Sequence, residues 1–319
     1  MLLIRLLFHD SRIREGEYLL THNTDPNLSG GKYQTALLAA VYRGNMEMVQ
    51  LLLEFKADPD FMRGKALQAA CCEGEEDIVR ILLDAKANPN LVGGQFGTAL
   101  QAACRWGELA IVHELLKHQA DPNVTGGTYW TALQAATRWG DIRIVQILLE
   151  HNADPNLHGG EYGTALQTAA AWGHKEIVQL LIGAKADQNI VGGKYYTALI
   201  AASYQGYSNI VQLLDMADPN IVAESHETYH CETALQAASY QWHPNIIRIL
   251  LKLGANPNVF GSKYPTALWA ACHKGDIEIV KILLDAHADP KTVGGNGQTA
   301  LEAALAQGYM DIVQLLQST

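Results

Sequence analysis

No apolar run in the sequence is long enough to cross a bilayer. The most hydrophobic opening stretch, Met1 to Phe8, is broken by Arg5 and followed by His9-Asp10, whereas a helical span needs ~20 apolar residues. It also lacks a small-residue cleavage site, so the chain reads as soluble, not exported and intracellular, in the cytoplasm with the nucleus left open. Basic residues are scarce: 23 Lys and Arg stand against 33 Asp and Glu, a net charge of −10, with no basic run to neutralise phosphates. Nucleic acid is therefore a poor partner. Cysteines number only five, and Cys71, Cys104 and Cys272 fall at one position of a repeat, which points to buried, reduced thiols rather than a disulfide framework.

Catalytic and metal-binding patterns are missing too. There is no GxxxxGK[ST] loop and no serine in a nucleophile elbow. The segment His113 to His118 resembles a zinc-protease helix at a glance, but its histidines are five apart. That turns them about 140° from one another on a helix and breaks the shared face. His226, His230 and Cys231 lie in one loop without a second ligand cluster, weak grounds for zinc. The expectation is a non-enzymatic protein with neither cofactor nor metal.

What the sequence does have is a repeat. Thr-Ala-Leu recurs at Thr35, Thr98, Thr131, Thr164, Thr197, Thr233, Thr266 and Thr299, and Lys65-Ala66-Leu67 fills the missing slot. Successive intervals are 30, 33, 33, 33, 33, 36, 33 and 33 residues, so nine units follow, one shortened near residues 58–66 and one with a lengthened loop at 221–232. Eight of the ten prolines (Pro26, Pro59, Pro89, Pro122, Pro155, Pro219, Pro257, Pro290) occupy one Asp/Asn-Pro slot, which fixes the phase. Residues 1–34 fit the same register as a degenerate first unit, with Leu6 and Leu7 where the others carry alanine. This is a cap or a docking surface formed by Leu2, Leu3, Leu6 and Leu7.

Each unit reads as helix, turn, helix, extended loop. In the unit beginning at Thr98, the threonine hydroxyl caps a short helix that Gly107 ends. Ile111, Val112, Leu115 and Leu116 then form the apolar stripe of a second helix. Asp121-Pro122-Asn123 stops it, and Gly126-Gly127 permits the reversal into the next unit. An alanine recurs at Ala40, Ala70, Ala103, Ala136, Ala169, Ala202, Ala238, Ala271 and Ala304, small enough for first helices to approach closely. No unit buries both helices alone, whereas stacked units do.

The string Thr-Ala-Leu-Gln-Ala-Ala, Gly, Ile-Val, Leu-Leu, Ala-Asp-Pro-Asn resembles the ankyrin repeat over residues 35–319. It departs from the usual Thr-Pro-Leu-His in having Ala for Pro and mostly Gln for His, and it carries Gly-Gly-x-Tyr in the loop. That variant is similar to arrays common in fungal proteins, which often follow a nucleotide-binding NACHT module, and no such module is read here. The resemblance implies a mainly α solenoid of stacked helix-turn-helix units with extended hairpin tips. It also implies a monomeric, non-catalytic scaffold that binds a protein or peptide on its concave face. The alternative is the sensor or regulatory half of a signalling assembly whose effector is a separate chain, and a third reading is a small-molecule enzyme in the concave groove.

The candidate contact residues follow from the register. Counting each threonine as zero, Trp106, Trp139 and Trp172 share position plus eight in three successive units, and they are expected to form a ladder. Position plus seven holds Tyr42, Arg105, Arg138, Tyr204, Tyr240 and His273, and the residue before the threonine is Trp130 or Tyr196. Trp269 adds a further aromatic on a first helix. Tryptophan and arginine dominate interface energetics, which makes this set the expected partner-binding surface. Tyr33, Phe96, Tyr129, Tyr162, Tyr195 and Tyr264 repeat too strictly to encode specificity and are expected to fill the space between loop tips. Trp242, followed by His243-Pro244, replaces a helix-ending glycine, so that joint is expected to be distorted, either as a local hinge or as a partner contact.

Overall fold

The computed structural model describes residues 13–223, 232–261, 265–293 and 297–318. Leu2, Leu3, Leu6 and Leu7, the histidines and cysteine at 226, 230 and 231, and Tyr264 lie outside them. The described residues form nineteen helices and no extended strand. The chain divides into two compact units, Met1–Asp154 and Pro155–Thr319. The first holds α1 (Ile13–Thr21), α2 (Ala36–Tyr42), α3 (Met46–Glu54), α4 (Phe61–Glu73), α5 (Glu76–Asp84), α6 (Ala99–Trp106), α7 (Leu109–Lys117), α8 (Ala132–Trp139) and α9 (Ile142–Glu150). The second holds α10 (Ala165–Trp172), α11 (Lys175–Gly183), α12 (Ala198–Gln205), α13 (Ser208–Leu213), α14 (Ala234–Tyr240), α15 (Pro244–Lys252), α16 (Ala267–Lys274), α17 (Ile277–Asp285), α18 (Ala300–Gln307) and α19 (Met310–Gln317).

Within each unit the alanine-rich helices pack on one another in chain order, and the leucine- and isoleucine-rich helices form a second layer behind them. The fold is thus a mainly α helical-repeat solenoid. The recurring alanine is at most 1% exposed, from Ala40 to Ala304; a larger side chain there meets the next helix before the backbones have closed. Threonine hydroxyls cap the short helices by accepting from the amide three residues on, as in Thr98 Oγ1 with Gln101 N at 3.2 Å. Cys71, Cys104 and Cys272 are fully buried in one slot, and burial pushes each thiol up, Cys272 to about 12.

Two polar side chains stitch the stack, and neither role is evident from periodicity. The glutamine three residues after the threonine is buried between units. In Gln101, Oε1 accepts from Thr98 N at 2.8 Å while Nε2 donates to Val124 O and Trp130 O of the following loop, both at 2.9 Å. Gln167 repeats this with Thr164 N, Ile190 O and Tyr196 O. An amide is required because the site needs an acceptor on one arm and a donor on the other. The asparagine after Asp/Asn-Pro does the same on the outside: Asn123 Oδ1 accepts from Asp154 N at 2.7 Å and Nδ2 donates to Asn152 O at 2.9 Å. Asn27, Asn90, Asn156, Asn189, Asn220 and Asn258 do likewise with the amide and carbonyl roughly a repeat further on.

The loop tips touch as well. Thr128 N donates to Gln95 O at 3.0 Å, and Lys194 N to Glu161 O at 2.8 Å. This approach explains the second glycine of each Gly-Gly pair: a Cβ on Gly127 would lie inside contact distance of the Phe96 backbone. The joint at Trp242 is not distorted as the lost glycine suggests. Trp242 itself adopts the left-handed conformation, φ 58, and His243 N still donates to Ala238 O at 3.0 Å, as Glu108 N does to Ala103 O. The regular helix ending is kept by placing a bulky residue where glycine is the low-energy choice.

Candidate partner-binding surface

Positions plus seven and plus eight of the first helices stand beside the tip aromatics, as in Arg105 with Tyr129, Tyr42 with Tyr33 and Trp172 with Tyr162. In the first unit this assembles a single cluster. Trp106 and Trp139 are 49% and 48% exposed. The Arg105 guanidinium carbon lies 4.5 Å from the Trp106 ring and 3.6 Å from the Trp139 ring. Arg105 Nε donates to Tyr129 Oη at 2.9 Å, and the Arg138 guanidinium lies 5.5 Å from Trp139. Trp106 and Trp139 are thus joined through a cation rather than simply ring on ring. Cys72 lies near Trp106; burial holds its thiol above the ordinary range, with the Trp106 indole opposing that shift.

The electrostatics of the cluster follow from this packing. The Arg105 Nη groups have no carboxylate partner among the described residues. A guanidinium beside indole rings offers a planar fork of donors, the chemistry that takes a carboxylate in bidentate fashion. About half of each indole is exposed, the state in which an aromatic side chain still gains from being covered.

In the second unit the candidates fall into two groups. Trp172, 40% exposed, meets Tyr162 edge-on at 6.1 Å. Tyr162 stacks with Tyr195 at 6.4 Å, and Tyr195 lies 5.9 Å from Tyr204. The second group is Tyr240 and Trp242 with the Lys274 ammonium, 3.9 Å and 4.8 Å from the two rings. His273 stacks on Trp269 at 4.9 Å, and its pKa is lowered by burial and then by Lys274, so the imidazole is neutral at pH 7.

Trp269 itself departs from expectation. It occupies the position three after Thr266, the slot of the stitching glutamines, and is 5% exposed; it belongs to the interior and not to the contact surface. Trp130 and Tyr196 are half-buried and sit at φ 68 and 69, where the equivalent residues Gly97 and Gly163 have φ 92 and 95. A Cβ at Gly97 would collide with Gln101 Oε1, so an aromatic there opposes the reciprocal cap. That cap is closed at Thr98 and Thr164, whereas Thr131 keeps only its hydroxyl half. Tyr42 stands 5.5 Å from Tyr33 and is exposed.

Among the residues that sequence reasoning missed, Cys72, Tyr129 and Lys274 enter these clusters from a neighbouring repeat, a pairing no single repeat reveals. Trp242, which the sequence leaves open between a hinge and a partner contact, lies beside the contact positions with the Lys274 ammonium 4.8 Å from its ring.

A family model described as ankyrin repeats (3 copies) matches residues 13–93, 91–159, 157–223 and 235–319. The chain belongs to the ankyrin-repeat family. Ankyrin repeats are generally protein–protein interaction modules, and the family is typically non-enzymatic. Among solved structures, the chain is similar to the human ASB11 ankyrin repeat domain, at 23% identity with a TM-score of 0.56 over 68% of this chain and 96% of that one; at that identity the likeness speaks for the fold alone. No curated protein matches the ankyrin chain. No helix among the described residues is long and apolar enough to cross a membrane.

Proposed function

We propose that this ankyrin array is a non-catalytic scaffold that binds a protein or peptide along the edge formed by its first-helix ends and loop tips. Its strongest contact site is Arg105, Trp106, Arg138 and Trp139. The observation that carries this reading is the guanidinium of Arg105 lying 4.5 Å and 3.6 Å from two half-exposed indole rings. Buried tryptophan and arginine contacts supply most of the energy of protein interfaces, typically 2 kcal/mol or more each on truncation to alanine. A partner with a carboxylate among apolar side chains matches the site, and Trp130 extends it.

The test uses the full chain immobilised as bait, with bound proteins identified by mass spectrometry. The double variant Trp106→Ala/Trp139→Ala is expected to release the specific partner while its thermal transition stays within a few degrees of wild type. Arg105→Lys is expected to weaken capture, since an ammonium cannot stack between indoles. Unchanged capture by all of these variants refutes the reading.

A further inference from the structure

The shortened connection leaves a gap in the row of loop tips. From Pro to the capping position the regular loops have Pro89 to Thr98, but the short one runs only from Pro59 to Lys65. The three missing residues remove the Gly-Gly-x-aromatic tip. The chain makes the tight passage by placing Met62, Arg63 and Gly64 in left-handed conformation. What remains between the tips bearing Tyr33 and Phe96 is a pocket of about 340 Å³, lined among others by Lys32, Tyr42, Lys65, Gln68 and Cys72. That volume lies at the small end of the range for specific ligand sites, which starts at roughly 300 Å³.

Three properties of the pocket define what fits it. Regular steps place an aromatic ring at this level of the row, as in the Tyr162–Tyr195 stack, and here one ring is missing. Two regular steps also join their tips by an amide-to-carbonyl bond, Thr128 N to Gln95 O and Lys194 N to Glu161 O. On either side of the gap, Lys32 O and Gln95 N have no such partner among the described residues. The lining holds two lysines and no carboxylate, in a chain of net charge −10. Lys65 Nζ donates to the neutral Gln34 Oε1 at 2.9 Å and Lys32 Nζ lies 5.2 Å from the Tyr33 ring, and neither pairs with an acid among the described residues.

We propose that this pocket takes an aromatic side chain of a bound peptide, presented next to an acidic residue, so that the peptide replaces the deleted tip. The ring stands where the missing ring would, the peptide amide and carbonyl meet Lys32 O and Gln95 N, and the acid pairs with Lys65 and Lys32. The inference rests on the reading that the array binds a polypeptide and adds which side chain one part of it selects.

The probe is a phage-displayed library of random 12-residue peptides panned against the full chain. Recovered peptides are expected to share Phe, Tyr or Trp beside Asp or Glu. As synthetic peptides they are expected to protect Cys72 from maleimide, followed on the Cys72-containing peptide by mass spectrometry. Replacing residues 61–65 with the eight residues of 91–98 restores a full tip and is expected to weaken binding at least tenfold. If that variant does not fold by circular dichroism, Lys32→Gln/Lys65→Gln keeps the backbone and is expected to lower affinity for the acidic peptides about tenfold. Peptides without an aromatic–acidic pair, binding indifferent to the pocket variants, an unprotected Cys72, or no peptide recovered each overturn the proposal. Peptides lost only on Trp106→Ala/Trp139→Ala overturn it while leaving the broader binding function standing.

Discussion

Gln101 gives the sharpest stability test, because one buried side chain serves both its own helix cap and the following repeat. It is fully buried, accepts from Thr98 N and donates to Val124 O and Trp130 O. Gln101→Ala removes three hydrogen bonds worth roughly 1 kcal/mol each net and strands buried backbone groups, so the expected loss is about 3 kcal/mol. Gln101→Glu separates the two arms. A carboxylate still accepts from Thr98 N but faces two carbonyl oxygens where the amide donated, so the folded state favours the protonated acid and raises its pKa above the unfolded value. The folded form then binds a proton that the unfolded form has released. Stability therefore falls as pH rises from the unfolded glutamate pKa toward the folded one, by up to ~1.4 kcal/mol per pH unit. Urea unfolding followed by tryptophan fluorescence at pH 5 and pH 7 measures both. An alanine variant within about 0.5 kcal/mol of wild type, or a glutamate variant equally stable at both pH values, refutes the account of Gln101 as a two-armed clamp.

Three further outcomes follow from the same geometry. Asn123→Asp keeps the bond from Asp154 N and loses the donation to Asn152 O, so it is expected to cost about 1 kcal/mol and Asn123→Ala about 2 in urea unfolding; Asp60, which accepts from Asn88 N at 2.8 Å, already lives with the first arrangement. Trp130→Gly relieves a left-handed backbone but loses ring contacts and adds unfolded-state entropy, so stability is expected to stay within about 1 kcal/mol while partner capture drops. Glu302 caps Thr299, accepting from its amide at 2.7 Å, and the bonds from Thr299 lower its pKa. The cap is present above the ordinary glutamate range and is lost as pH falls through the depressed folded value. Protection factors of the amides in Ala300–Gln307, taken relative to the intrinsic exchange rate at each pH, are expected to fall in acid, and Glu302→Gln, which retains the acceptor, is expected to flatten that dependence.

The residues that sequence reasoning placed correctly share a property: their role is set within one repeat. Thr98 caps its own helix and Gly107, at φ 75, ends it. The tryptophans at plus eight sit beside that glycine and are wet as expected. Trp269 was misplaced because the slot three after the threonine looks exposed on a lone helix and is roofed only by the next loop. Trp242 misled in the other direction, since a glycine slot filled by tryptophan reads as a broken joint until the backbone is seen to accept it.

By itself the sequence determined the repeat, its phase, the helix boundaries and the ankyrin character, because capping, proline placement and helical periodicity are local and recur in copy after copy. Only the tertiary structure decided which atoms of one repeat meet the next. It put Arg105 between Trp106 and Trp139 and made Gln101 and Asn123 into clamps. It also turned a three-residue deletion into a lysine-lined pocket. Those contacts join residues about a repeat apart, and their geometry is fixed by the pitch of the stack, a quantity that no residue in a single copy encodes.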